Sequence, residues 1–88
     1  AGYAQFKVMD KKGNYVIVDN SEFLTPLQEK MMSTQPDMMV QYAHILRDHY
    51  AREGFESPQV FADAYVTLNG RLGRPYIDTN TDLASVED

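Results

Sequence analysis

Apolar and polar residues alternate with a period of two near the start of the chain, which predicts a β-hairpin. Phe6 and Val8 fall on one face of the first strand, and Gln5 and Lys7 fall on the other. A polar loop over residues 10–14 contains a glycine that can adopt a positive φ, and β-branched residues follow it. We therefore expect two antiparallel strands before residue 20.

A second period-two pattern runs over residues 60–68, where Val60 and Ala62 share one face. It ends at Asn69-Gly70, a dipeptide typical of the two-residue turn that joins hairpin strands. Residues 71–77 are therefore expected to return as the partner strand.

Between the hairpins, apolar residues recur at three- and four-residue spacing, which predicts helices. Thr25-Pro26-Leu27-Gln28 has the form of a capping box and begins a short helix to about Met32. Gln35-Pro36-Asp37 begins a longer helix that should end near Glu53, before a glycine. The apolar stripe of the longer helix is formed by Met38, Met39, Tyr42, Ile45, Leu46 and either His49 or Tyr50.

The predicted order of elements is β-β-α-α-β-β. The simplest packing lays one long and one short helix on a small antiparallel sheet built from the two hairpins, which is an α+β fold. The length of 88 residues suits one domain, so we interpret 1–88 as a single soluble domain. The chain does not begin with methionine, which favours a domain excised from a larger protein. Residues 79–88 are predicted to be a polar tail.

Composition excludes several classes of function. The chain carries 13 acidic and 8 basic side chains, and its net charge of −5 argues against a nucleic-acid partner. It has no cysteine, which excludes disulfides, thiolate zinc sites and cysteine nucleophiles. It has no stretch of about 20 apolar residues, so no membrane-spanning segment is predicted.

No catalytic or metal-binding motif is evident. His44 and His49 are five positions apart and lie on different faces of a helix, so they cannot hold a metal together. Residues 78–82 match the opening of a calcium loop, but Leu83 replaces the required glycine and the bidentate glutamate is missing. We therefore predict no catalytic residue and no metal site. A small enzyme built on His44 is the weakest alternative.

The second hairpin carries the candidate binding residues. In register about its turn, Tyr65 faces Arg74 and Asp63 lies diagonal to Arg74, which brings aromatic, guanidinium and carboxylate groups together. Arg71 and Arg74 are close together on an otherwise acidic domain. Two interpretations are open: an ordinary network on the sheet surface, or a contact site for an acidic peptide or partner.

Residues Leu24 to Ala84 resemble an extramembrane segment of the vitamin K-dependent γ-carboxylase family, which includes proteins with a horizontally transferred transmembrane domain. Three blocks carry the resemblance: residues 24–26 with 32–38, residues 40–44, and the hairpin 65–71 with 77–78 and 82–84. The sequence departs from the family pattern at Thr79, where proline is expected after Asp78.

The resemblance implies an integral membrane parent, with this chain as a domain on its lumen-like or periplasmic side. The best-known members oxygenate vitamin K hydroquinone, and the base so formed removes a γ-proton from peptide glutamate before CO2 adds. Their catalytic lysine and quinone site belong to the membrane part, and no residue here corresponds to that lysine. We therefore expect no cofactor in this chain and a parent that is a γ-carboxylase-like lyase.

The resemblance predicts a non-catalytic domain that supports the membrane part or receives substrate peptide. The candidate residues for the peptide are Asp63, Tyr65, Arg71 and Arg74, and the expected partners are the rest of the parent protein and an acidic peptide. The alternative is a general protein-interaction module that uses the same hairpin face and has no link to vitamin K.

Overall fold

A computed structural model describes residues 2–68, 71–72 and 78–87, with side chains for residues 4–64 and 78–87. The strands are β1 (Gly2–Met9), β2 (Tyr15–Ile17), β3 (Gln59–Leu68) and β4 (Arg71–Leu72). The helices are α1 (Pro26–Met32) and α2 (Pro36–Arg52), and short 3-10 turns lie at Asn20–Glu22 and Leu83–Ser85.

The four strands form one antiparallel sheet in the order β2-β1-β3-β4. β1 pairs with β3 along its whole length, from Gly2 opposite Val66 to Met9 opposite Gln59. The two strands at the centre of the sheet therefore come from opposite ends of the chain. The predicted α+β class and the predicted order of elements are confirmed.

The second hairpin pairs its strands as the sequence predicts, with Leu68 opposite Arg71. The predicted turn residues themselves, Asn69-Gly70, lie outside the described residues. The rest of the predicted partner strand, residues 73–77, lies outside the described residues.

Helix α1 begins with the predicted capping box. The Thr25 hydroxyl accepts a hydrogen bond from the Gln28 amide at 3.2 Å, and the Gln28 side chain accepts one from the Thr25 amide at 2.9 Å. Two amides at the start of the helix are thereby satisfied. Helix α2 ends at Arg52, and Gly54 follows with a φ of +104°, a backbone conformation that favours glycine.

One face of the sheet packs against the helices and forms the core. Strand residues that alternate along β1 and β3 point to this face, and helix residues from α2 cover them. The buried residues from the sheet and α2 are Ala4, Phe6, Val8, Val60, Ala62, Ala64, Met39, Tyr42, Ala43 and Leu46.

The buried stripe of α2 differs from the prediction at Ile45, which is 55% exposed. Because each helical residue rotates by about 100°, Met39, Tyr42, Ala43 and Leu46 span an arc of about 100°, and Ile45 falls about 60° beyond its edge. Ala43 is buried in its place. The three- and four-residue spacing alone did not locate the centre of the stripe.

Tyr42 joins helix, turn and sheet through one polar network. Its ring packs edge-on against Phe6 with centroids 4.9 Å apart, and its hydroxyl donates to Asn20 Oδ1 at 2.9 Å. Asn20 Nδ2 in turn donates to the Ala4 carbonyl at 3.0 Å. Burial, together with the negative charge of Glu29, raises the pKa of Tyr42 far above its usual value. The hydroxyl therefore keeps its proton and remains a donor.

The prediction of a polar tail over residues 79–88 is wrong for its central part, because Leu83 and Ala84 are buried in the core. Asp82 Oδ1 accepts hydrogen bonds from the Val60 amide at 2.8 Å and the Ala84 amide at 3.0 Å. Asp82, one of the acidic residues of this segment, thus supplies the acceptor that two backbone amides need.

Helix α2 holds the same segment from the other side. Arg47 Nη1 donates to the Ala84 carbonyl at 3.1 Å. His44 Nε2 lies 2.6 Å from the Val86 carbonyl, and since a carbonyl can only accept, this nitrogen carries the proton. The C-terminal segment therefore packs between α2 and β3.

Replacing Asp82 with alanine should lower the free energy of unfolding by about 1–3 kcal/mol, because two backbone amides lose their acceptor. Asp82→Asn keeps an acceptor oxygen and should cost less, and Glu87→Ala, at an exposed position, should change stability by less than about 0.5 kcal/mol. Urea denaturation checks these values. Equal losses for Asp82→Ala and Glu87→Ala would contradict the role of Asp82.

Replacing Tyr42 with phenylalanine should cost about 1 kcal/mol of stability, because Asn20 Oδ1 loses its donor inside the structure. Tyr15→Phe removes a hydroxyl from a side chain that is 62% exposed and is the matched control, with an expected change below about 0.5 kcal/mol. The comparison requires only thermal or urea unfolding of the two variants. A loss at Tyr42 no larger than that at Tyr15 would refute the network.

Candidate functional site

The helices cover one face of the sheet, and no helix of the described residues covers the other face. We name this the outer face: Gln5, Lys7, Tyr15, Ile17, Phe61 and Asp63. An open groove of about 450 Å³ crosses it, bordered also by Thr79 from the C-terminal segment. A groove of this size on one side of a small domain is the natural candidate for a binding site.

Lys7 is the cation of the outer face. It lies opposite Ile17 on one side and opposite Phe61 on the other. Its Nζ is 5.8 Å from the centroid of the Tyr15 ring and 5.7 Å from that of the Phe61 ring, within the range of cation–π attraction. Among the described residues Lys7 has no ion-pair partner, so two aromatic rings position an ammonium group that remains available to an anion.

Asp63 supplies an acceptor on the same face. Its Oδ1 is buried and has no hydrogen-bond partner within the described part of the chain. A buried acceptor left unpaired costs free energy, which distinguishes Asp63 from the other carboxylates of the described residues. Gln5, directly opposite on β1, adds an amide group.

The structure describes only part of the predicted binding cluster. Asp63 lies on the outer face, next to the groove. The backbone of Arg71 lies opposite Leu68. The side chains of Tyr65 and Arg71, and the whole of Arg74, lie outside the described residues, so the predicted contact among Asp63, Tyr65 and Arg74 remains a prediction.

The hydrogen bonds between β1 and β2 show which backbone groups of β2 are paired. The Val18 amide donates to the Phe6 carbonyl at 2.8 Å, and the Asp10 amide donates to the Asn14 carbonyl at 2.9 Å. In an antiparallel ladder, bonded pairs alternate with non-bonded pairs. Val16 therefore bonds to β1, as its even-numbered neighbours do.

Tyr15 and Ile17 occupy the non-bonded positions of this ladder, so their N–H and C=O groups point away from β1. β2 is the edge of the sheet, and these two residues are 62% and 47% exposed. No hydrogen bond from either backbone to another described residue closes this edge. The first hairpin thus presents a free strand edge beside the outer face.

On the β3 side of the sheet, some outward backbone groups have partners. The Val60 amide points away from β1 by the same alternation, and Asp82 accepts its hydrogen. Farther along β3, Thr67 and Leu68 pair with β4. Among the described residues, Val60, Thr67 and Leu68 have partners on this side of the sheet, whereas Tyr15 and Ile17 on β2 have none for their outward backbone groups.

A compact loop holds β2 in place. Asp10 Oδ1 accepts from the Lys12 and Asn14 amides at 2.9 and 3.0 Å, and Oδ2 accepts from Asn14 Nδ2 at 3.2 Å. Gly13 completes the turn with a φ of +90°. Burial raises the pKa of Asp10, but the hydrogen bonds from Asn14 and Lys12 outweigh it and hold the pKa below its usual 3.8.

The first hairpin is also the basic end of an acidic domain. Residues 1–18 carry three lysines and one aspartate, a net charge of +2. Residues 19–88 carry five basic and twelve acidic side chains, a net charge of −7. Lys11 and Lys12 contact Glu56 at 3.2 and 3.9 Å on the surface. The sequence reasoning concentrated on Arg71 and Arg74 and missed this asymmetry, which a running charge count would have found.

The two histidine and aspartate candidates on α2 make contacts within the described part of the chain. His44 binds the C-terminal backbone, and the Asp48 carboxylate lies 3.2 Å from Arg47. No group of three histidine, aspartate or glutamate side chains among these residues is arranged to hold a metal ion.

A family model described as vitamin K-dependent gamma-carboxylase, lumenal domain, matches residues 1–88. The chain belongs to this family. The resemblance seen over residues 24–84 is thereby confirmed, and it extends over the whole length given. The lumenal-domain family places the outer face and its groove outside the membrane, on the lumenal side.

No curated protein and no solved structure matches the chain. Over the described residues, no helix combines the length and the apolar character that crossing a bilayer requires.

Protonation of Asp10 should lower the free energy of unfolding of this lumenal domain at acid pH. Because the folded pKa of Asp10 lies below 3.8, its stabilising contribution is complete above that pH and is lost as the pH falls through the folded pKa. Urea unfolding from about pH 5 to about pH 2 should therefore show a shallower decline for Asp10→Asn than for the unmodified chain. The same decline in both chains would contradict the assignment.

Proposed function

We propose that this lumenal domain is non-catalytic and receives a glutamate-containing substrate peptide for the membrane part of its parent protein. The observation that carries the proposal is the outer face: within the described part of the chain the Lys7 ammonium has no ion-pair partner, and Lys7 and Asp63 both line an open groove.

The position of the described lysines supports a non-catalytic role. A lysine serves as a base most readily when it is removed from water in an apolar pocket. The side chains of Lys11 and Lys12 are 64% and 66% exposed, Lys30 is also exposed, and Lys7 is half-buried. The proposal therefore assigns the catalytic lysine and vitamin K hydroquinone to the membrane part of a carboxylase-like parent.

The chemistry of the outer face supports binding of an acidic peptide. The Lys7 ammonium can contact a glutamate carboxylate, and Asp63 lines the groove beside it, where its carboxylate can accept a peptide N–H. The net charge of +2 on the first hairpin attracts an anion locally, on a domain that repels it elsewhere. Arg71, Arg74 and Tyr65 would extend this site if the predicted register of the second hairpin holds.

A general protein-interaction module is the second candidate. Ile17 and Phe61 border the groove with apolar surface that suits many side chains. Such a module would bind peptides without a preference for glutamate, so comparison of glutamate and glutamine peptides separates the two functions.

The 88-residue chain, supplied with vitamin K hydroquinone, CO2 and a glutamate peptide, should form no γ-carboxyglutamate, because the proposal places the reactive centre in the membrane part. Mass spectrometry of the peptide detects the product directly. Turnover by this chain alone would refute the non-catalytic role.

A short glutamate peptide should bind the chain more tightly than its glutamine counterpart. The double variant Arg71→Ala, Arg74→Ala should weaken glutamate-peptide binding by about three- to thirtyfold, since a surface charge contributes a few tenths to one kcal/mol. The matched control removes two helix charges, Lys30→Ala with Arg52→Ala, and should leave binding unchanged.

Isothermal titration or fluorescence anisotropy measures the affinities. Equal affinity for the two peptides favours the general module, and no binding of either peptide contradicts both functions. Unchanged binding by the Arg71, Arg74 variant removes those arginines from the site and leaves Lys7 and Asp63 as its centre.

A further inference from the structure

We propose that the peptide binds as an additional strand along the free edge of β2, with a glutamate side chain of that strand contacting Lys7. The inference rests on the proposed function and specifies its binding mode: main-chain hydrogen bonds to Tyr15 and Ile17, and a carboxylate held by the ammonium on the outer face.

The backbone of β2 supplies the hydrogen-bonding groups. Tyr15 and Ile17 each direct one N–H and one C=O away from β1, and the alternation of the ladder fixes this direction. Addition of a strand to such an edge is an established way for a domain to bind an extended peptide. The edge is short, so a peptide of a few residues satisfies all of its open groups.

The edge also lacks two features that keep an exposed strand from pairing, proline and charged side chains. β2 reads Tyr15-Val16-Ile17, three residues with high strand propensity, and contains no proline and no charge. The Asp10 loop fixes its position at one end. A preformed strand costs little further ordering when the peptide binds.

The position of Lys7 favours a glutamate at the facing position of the added strand. Strands in a sheet lie about 4.8 Å apart, so the added strand would lie about 10 Å from β1. Extended lysine and glutamate side chains together span that distance. Lys7 Nζ lies between the Tyr15 ring on β2, at 5.8 Å, and the Phe61 ring on β3, at 5.7 Å, so the ammonium is held on the outer face within reach of this edge. Alternate residues of the peptide point to the outer face, and a glutamate among them meets Lys7.

Charge favours an acidic peptide over a second copy of this chain. Pairing two copies along β2 would bring together two hairpins that each carry a net charge of +2, on domains that each carry −5. Both the local and the overall charge oppose that pairing. A glutamate peptide complements the hairpin at the point of contact.

Residue-resolved amide hydrogen exchange tests the binding mode. In the free chain, the Val16 amide should exchange slowly and the Tyr15 and Ile17 amides rapidly. Saturation with a blocked peptide of alternating glutamate and valine should slow exchange at Tyr15 and Ile17 by about tenfold or more, with a smaller change at Val16. This odd–even pattern is specific to an added strand.

The contact with Lys7 is tested by a double-mutant cycle. Lys7→Gln should weaken binding of the alternating peptide about two- to fivefold, the range for an exposed ion pair. Replacing glutamate by glutamine in the peptide should cause the same loss, and combining both changes should cause no further loss. Lys30→Gln, which removes a lysine from α1, is the matched control and should bind as the unmodified chain does.

Four other results would each overturn part or all of the proposal. Binding that protects amides elsewhere, with Tyr15 and Ile17 unaffected, overturns the added strand and leaves the proposed function standing. Additive losses in the cycle overturn the contact with Lys7. Protection of Tyr15 and Ile17 in the free chain that grows with protein concentration shows pairing of two copies and overturns the proposal. Failure of any glutamate peptide to bind overturns both this inference and the proposed function.

Discussion

In an antiparallel sheet, the direction of the backbone N–H and C=O groups alternates along each strand. In this domain that alternation determines which backbone groups at the sheet edges need a further partner. Every second residue of a strand directs its N–H and C=O away from its partner, so each edge of the sheet presents a row of such groups. At β3, Asp82 accepts from Val60 and draws the C-terminal segment into the core. At β2, the corresponding groups of Tyr15 and Ile17 have no partner among the described residues. Packing of the C-terminal segment against β3 and the proposed peptide binding at β2 therefore both use backbone groups that point away from β1.

The core fixes the register that this arrangement needs. Phe6 lies in the core against Tyr42, and the period of two then places Lys7 on the outer face. A slip of one residue would exchange the two faces of β1, burying the lysine and exposing the phenylalanine. The hydrogen bonds from Tyr42 to Asn20 and from Asn20 to the Ala4 carbonyl oppose such a slip. The binding face thus depends on contacts made on the other side of the sheet.

Local signals in the sequence predicted the local structure well. The capping box at Thr25, the glycine after α2 and the pairing of Leu68 with Arg71 each depend on residues close together in the chain, and each is confirmed. The family was also recognisable, because its blocks are contiguous runs of residues. The α+β class followed from the order of these elements.

Features that depend on distant residues were not predictable in the same way. Nothing in the sequence near Asp82 shows that its carboxylate meets Val60, and the acidic composition of the segment concealed the burial of Leu83. The place of Lys7 between Tyr15 and Phe61 follows from pairing β1 with strands on both sides, which no local pattern specifies.

The most direct test of the account is the set of intermolecular nuclear Overhauser effects between a glutamate peptide and the chain. The account predicts backbone contacts to Tyr15–Ile17, and contacts confined to α1 and α2 would contradict it.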